Sequence, residues 1–166
     1  AEKITFDNAM LYYLDNTTNN KNNPNENYAR EFLELFTILK GPQIGIGNHT
    51  NYTEHDIQQA ARVFSGIKVK PDRDNFDPDT GIPYGFVNNN QHDTGTKTFS
   101  EAFNYQTIQG GTNLQEVKNE LSEFVGMVFS KTETAKAYCR KLYRFFVKSE
   151  WNQSVENSII TPLASQ

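Results

Sequence analysis

The sequence predicts a mainly α fold: a bundle of about five helices with a small β-hairpin element between the second and third. Three observations carry this expectation. Apolar residues recur every three or four positions in several separate segments. Capping patterns and Gly or Pro stops bracket those segments. Between residues 67 and 110 the period changes to short alternating runs separated by turn residues.

Taken in order, the chain opens with a short apolar patch, "AMLYYL", from Ala9 to Leu14. An Asn-rich run, "DNTTNNKNNPN", follows; Asn competes with helix backbone bonds, so a loop is expected. Pro24 opens the first long helix, "PNENYAREFLELFTIL". On a helical wheel Tyr28, Phe32, Leu35, Phe36 and Leu39 share one face, with Ala29 and Leu33 at its margin. Gly41 and Pro42 end it. Thr53 is the N-cap expected for the second helix, with Asp56 completing a capping box and Tyr52 and Ile57 a hydrophobic staple. Ile57, Ala60, Ala61 and Phe64 form its apolar stripe, and Gly66 stops it.

"IKVK", "YGFV" and "TKTF" then read as short strands, the last two flanking "NNNQHDTGTKTF" at 88–99. Thr112 with Gln115, and Ser130 with Glu133, look like capping boxes for two more helices. Leu114, Val117, Leu121, Phe124, Val125 and Val128 line one of them; Ala135, Tyr138, Cys139, Leu142, Phe145 and Phe146 line the other. A final amphipathic stretch, "SVENSIITPLA", is limited or bent by Pro162. No internal repeat is visible.

Composition narrows the function classes. A chain of 166 residues suits a single domain. Hydrophobic residues make up only 36% and mean hydropathy is −0.70, yet aromatics reach 13%, which supplies the bulky area a core needs. The net charge of −4 comes without a run of Lys and Arg dense enough to suggest nucleic acid. No apolar stretch approaches the roughly 20 residues of a membrane span. Ala1 begins the chain without an initiator Met or a signal peptide, as expected of a mature product or an excised fragment. The single cysteine, Cys139, excludes an intrachain disulfide and a multi-cysteine zinc site.

Four groups of residues are candidates for chemistry. In the first helix Glu26, Arg30 and Glu34 stand at successive i, i+4 positions. Exposed, they are a solvated ladder; covered, Arg30 becomes a fork between carboxylates that binds segments together. A catalytic carboxylate there, Glu31 among them, would need a cleft that separates paired pKa values. In the 88–99 stretch His92 and Asp93 order a turn, with Gly95 in it, and Lys97 pairs with a helix carboxylate. Alternatively His92 acts as base or metal ligand, Asp93 orients it and Lys97 holds an anionic group. Adjacent side chains on an extended strand point to opposite faces, so a direct His92–Asp93 dyad requires a turn between them. Asp72, Asp74, Asp77 and Asp79 form an acidic cluster that invites calcium, the one cofactor suggested. An EF-hand frame fails there, because Phe76 occupies its fifth position and Pro83 its twelfth. His55 lacks the i+4 His or Cys of a helical zinc site and reads as a surface residue.

The segments "NPNENYAREFLELFT", "NYTEHDIQQAARVFSG", "HDTGTKTF" and "TAKAYCRKLYRFFV" together resemble the bacterial family catalogued as domain of unknown function 1800. Their order and spacing fit from about Met10 to Ala164. The resemblance implies a mostly helical protein of an often exported bacterial group with no assigned reaction, hence a periplasmic or extracellular location. Family members are usually longer, which implies a C-terminal portion whose partners are missing segments of the same protein, or another exported protein. "FTILKGPQIGIGN" departs from the family's short Leu-Gly turn, and the acidic loop at 71–83 looks like an insertion. Two function classes follow: a structural or binding module that uses the polar helix face and the His92 loop, or a hydrolase-like enzyme using His92, Asp93 and Glu31, with or without a metal.

Overall fold

The computed structural model describes residues 1–70 and 74–166. The fold is helix-rich, with small antiparallel strand pairs. Helices α1 (Glu2–Thr5) and α2 (Asn8–Tyr13) precede α3 (Asn27–Glu31), which continues as a π-helical segment, Phe32–Phe36. Strands β1 (Gln43–Gly45) and β2 (Asn48–His49) lead into α4 (Glu54–Val63). Strands β3 (Ile67–Lys68), β4 (Phe86–Val87), β5 (Lys97–Thr98) and β6 (Thr107–Ile108) follow. The long helices α5 (Leu114–Phe129) and α6 (Thr132–Phe146) come next. α7 (Gln153–Val155), a π turn (Glu156–Ile160) and α8 (Thr161–Ala164) close the chain.

The core is a relay of rings. Phe32 lies 5.4 Å from Phe64 and 5.5 Å from Phe124, centroid to centroid. Phe99 stacks on Phe124 at 5.5 Å, and Tyr28 meets Phe64 edge-on at 4.8 Å. Segments far apart in sequence, the first helical stretch, α4, the end of β5 and α5, are thereby joined through one aromatic interior, which favours tilted and edge-on geometry.

Several expectations need correction. The single hairpin becomes, among the described residues, three separate two-stranded pairs: β1 with β2, β3 with β4, and β5 with β6. The strands within "YGFV" and "TKTF" therefore do not pair with each other; Val87 faces Ile67 and Lys97 faces Ile108. The first long helix does not keep one α-helical stripe to Leu39. Its π turn widens the helix and shifts the register, so Leu33 and Ile38 go inside while Leu35 stays out. The cap of α5 is Asn113, which accepts from the Gln115 and Glu116 N–H groups. Lys131, not Ser130, precedes α6. The Thr53–Asp56 capping box is formed in full.

The Asn-rich run is more than a loop. Asn16 and Asn19 are fully buried. Asn16 donates to the Phe64 and Ile67 carbonyls at 3.1 and 3.2 Å, and Asn19 to the Ala61 carbonyl at 2.8 Å. These side chains bond carbonyls at the end of α4 and the start of β3, and so tie the Asn-rich run to both.

The stripe of α6 is the largest departure. Thr134 and Ala137 are buried, whereas Tyr138, Leu142, Phe145 and Phe146 are exposed. The most apolar arc of that helix faces outward.

Candidate functional site

Gly66 sets the geometry of the 88–99 loop. It ends α4 in the left-handed region at φ 73°, and a Cβ there would stand 2.7 Å from the His92 nitrogen. Only glycine lets the loop backbone approach so closely. The Asn88 amide donates to the Gly66 carbonyl at 2.8 Å, and the His92 amide to the Asn88 carbonyl at 3.0 Å. The chain turns there and brings His92 under the end of α4. Lys97 and Phe99, two apart on the β5 side, both point inward while Thr98 points out.

His92 and Lys97 converge on Glu120, from the middle of α5. His92 Nε2 lies 2.9 Å from Glu120 Oε2, and Lys97 Nζ 2.6 Å from Oε1. The Gly111 amide donates to Oε2 at 2.7 Å, and Lys97 also donates to the Asp93 carbonyl. His92 Nδ1 is 2.7 Å from the Ser65 carbonyl oxygen. A carbonyl can only accept, so Nδ1 carries a hydrogen. Nε2 then faces the Glu120 carboxylate, so both ring nitrogens are engaged inside the fold. His92 and Lys97 are 0% exposed and Glu120 2%. Burial pulls the Lys97 ammonium below its ordinary value, and the Glu120 carboxylate beside it recovers only part of that.

Asp93 turns the other way, as its adjacency to His92 requires. Arg62 of α4 grips it with two bonds, Nε to Oδ2 at 2.8 Å and an η nitrogen to Oδ1 at 3.1 Å. The Gly95 amide adds a third at 2.8 Å. Burial would push the Asp93 carboxyl up, but Arg62, the Gly95 amide and the Lys97 charge together hold it below the ordinary range.

The carboxylates of the first helix belong to a different centre. Arg30 binds Glu54 of α4 through both η nitrogens, at 2.5 and 3.2 Å, and Glu26 at 3.2 Å; Glu34 lies 3.5 Å away. Glu34 also accepts from Tyr52 at 2.8 Å and pairs with Lys40 at 3.0 Å. Burial raises Glu34, and Lys40 and Tyr52 outweigh it, so its carboxyl sits below the ordinary value. Glu31 is half-buried and takes no part in the ion pairs around Arg30. The structure thus joins His92 to Lys97 through Glu120, and Arg30 to Glu26 and Glu34, and brings neither His92 nor Lys97 into a pair with a carboxylate of the first helix.

In the acidic stretch Asp72 lies outside the described residues. Asp74 pairs with Lys70 at 2.6 Å. Asp77 closes a turn, accepting from the Thr80 hydroxyl and amide at 2.8 and 2.9 Å, and pairs with Lys3 at 3.3 Å. Asp79 pairs with Lys3 at 2.5 Å. Among the described residues no group of three or more His, Cys, Asp or Glu gathers where it could hold a metal ion. No described helix is long and apolar enough to cross a membrane.

Sequence reasoning missed Glu120 and Arg62. Glu120 carried a usable signal: it interrupts the apolar stripe three residues after Val117 and next to Leu121. A carboxylate inside such a stripe must find a cation or a donor. Arg62 stands on the polar flank of α4, where nothing in the pattern separates a gripping arginine from a solvated one.

The family model described as "Protein of unknown function (DUF1800)" matches residues 1–166, the whole chain, and the chain belongs to that family. Neither the curated proteins nor the solved structures contain a match to it.

Proposed function

We propose that this member of the DUF1800 family is a structural or binding module of an exported bacterial protein. In this reading the His92–Glu120–Lys97 centre is a lock rather than a catalytic site. One observation carries it: the three side chains that look most like chemistry are closed to solvent, paired with one another and bonded to the Ser65, Asp93 and Gly111 backbone, with Glu120 Oε1 held by the charge of Lys97 alone and by no hydrogen bond. A general base must reach the proton it abstracts, directly or through one water. Here the imidazole spends both nitrogens inside the fold. The lock ties the 88–99 loop to α4 and α5, and so fixes the strands on the helices. Export rests on the family resemblance alone, and the partner is a further segment of the same protein or another exported protein.

Replacing His92→Gln tests the assignment. Such a variant is expected to melt several degrees lower, because the Glu120 carboxylate loses a partner in a dry site. A variant that melts like the parent, yet abolishes a hydrolytic turnover found by substrate screening, would overturn the lock and favour the hydrolase reading.

A further inference from the structure

We propose that the outward face of α6, with the groove beside it, seats an amphipathic helix whose apolar side is edged by carboxylates. This rests on the binding-module reading and specifies the partner.

The face is built like an interior one. Tyr138, Leu142 and Phe145 follow at helical spacing and are 39%, 56% and 82% exposed. Phe146 stands against Phe145 edge-on at 4.8 Å, making an aromatic knob. Beside this row runs a groove of about 540 Å³ between α6 and the α1–α2 end, reaching down to Phe32. Ile4, Met10, Tyr13 and Phe36 line it, with Tyr138 and Lys141 on its α6 wall. A helix is about 10 Å across with its side chains, and a concave apolar channel next to an apolar ridge suits one.

Charge selects the kind of helix. Residues 131–148 carry six cations and one carboxylate, in a chain whose net charge is −4. Arg140 is taken by Glu156 and Lys136 by Glu133. Lys141 and Arg144 stand three apart along one edge of the apolar row, and Lys148 follows just past the end of the helix. Lys141 reaches the Leu35 carbonyl, and Arg144 lies 5.4 Å over the Trp151 ring and donates to the Ser149 carbonyl. Among the described residues these three cations form no ion pair with a carboxylate. A helix with Asp or Glu along its flank supplies that complement. A second copy of this chain would bring two basic edges together across a two-fold axis. An anionic bilayer would reach Phe145 and Phe146 but leave the groove unfilled.

The test uses the 166-residue chain and two synthetic peptides of eighteen residues, both with Leu at i, i+3, i+4 and i+7. One carries Glu on both flanks and the other Lys. Fluorescence anisotropy should show the Glu peptide binding at least about tenfold tighter, with the difference shrinking as salt rises. Phe145→Ser should weaken it by a similar factor, and Lys141→Glu with Arg144→Glu should reverse the preference. These positions are exposed, so an unchanged melting temperature certifies each variant. No binding by the Glu peptide, or equal binding by both, overturns the proposal. So does co-sedimentation with phosphatidylglycerol vesicles without peptide binding, or a dimer that Phe145→Ser dissolves. The lock reading is tested separately, by variants at His92 and its partners, and so survives a negative result here.

Discussion

Two centres of charge hold this protein together, and their surroundings set them apart more than their chemistry does. At one, Lys97 and His92 clasp Glu120 with no exposed surface on either side chain. At the other, Arg30 clasps Glu54, Glu26 and Glu34, with the Arg30 and Glu54 side chains 36% and 37% exposed. Both bring a cation against a carboxylate from a distant part of the chain. Water screens the second and is excluded from the first. An exposed ion pair is worth about 0.2–1 kcal/mol, whereas breaking a buried pair by removing one partner costs about 3–5 kcal/mol, because the other charge is stranded. Similar pairs of residues can thus be ornament or keystone, and burial decides which.

The contrast can be broken by mutation, beginning with the largest effect. Lys97→Met removes the ammonium but keeps most of its apolar stem, leaving Glu120 with His92 and the Gly111 amide. Urea denaturation should show a loss of about 3–5 kcal/mol. Asp93→Asn comes next, at about 1.5–3 kcal/mol near neutrality, since it weakens charge-assisted bonds from Arg62 without emptying the space. Its pH signature is specific. The Asp93 carboxyl is held below its ordinary value in the fold. Its contribution is therefore present in full above the unfolded value of about 3.9 and is lost as pH falls through the lower folded value. Melting curves between pH 2 and 5 should be flatter for Asp93→Asn than for the parent. Arg30→Met is the smallest, at or below about 1 kcal/mol, and added salt should shrink it further.

How much of this was legible in the sequence follows the same divide. Local rules worked where local forces decide: the Thr53–Asp56 box and the Gly66 stop sit where the pattern puts them, because both depend on residues a few positions apart. Strand alternation puts Lys97 and Phe99 on one face, and the fold turns that face inward. Strand partners were not, because two-residue pairs such as β5 with β6 carry too little pattern to specify register. The Asn run misled for a related reason. Asn favours loops on average, but Asn16 and Asn19 spend their amides on the end of α4, a tertiary use with no local signature. At the site, the sequence placed His92 and Lys97 together and anticipated a helix carboxylate for Lys97, yet looked for it on the first helix. Glu120 lies 23 residues beyond Lys97, on a helix read for its apolar stripe.

Apolar stripes show the same limit. α5 and α6 are both amphipathic, and α5 buries Val117, Leu121 and Phe124 as its pattern requires. The pattern of α6 is as clear, but its Phe145 and Phe146 face outward. Periodicity reveals that a face is apolar; it does not reveal what covers it.

Paired double-mutant cycles offer the most direct check on the lock. One cycle combines Lys97→Met with Glu120→Gln; the other combines Arg30→Met with Glu54→Gln; both are read by urea denaturation. The coupling at Lys97–Glu120 is expected at about 2 kcal/mol or more, and that at Arg30–Glu54 below about 1 kcal/mol. Equal couplings, or a Lys97–Glu120 value near zero, would contradict a buried lock at the centre of this fold.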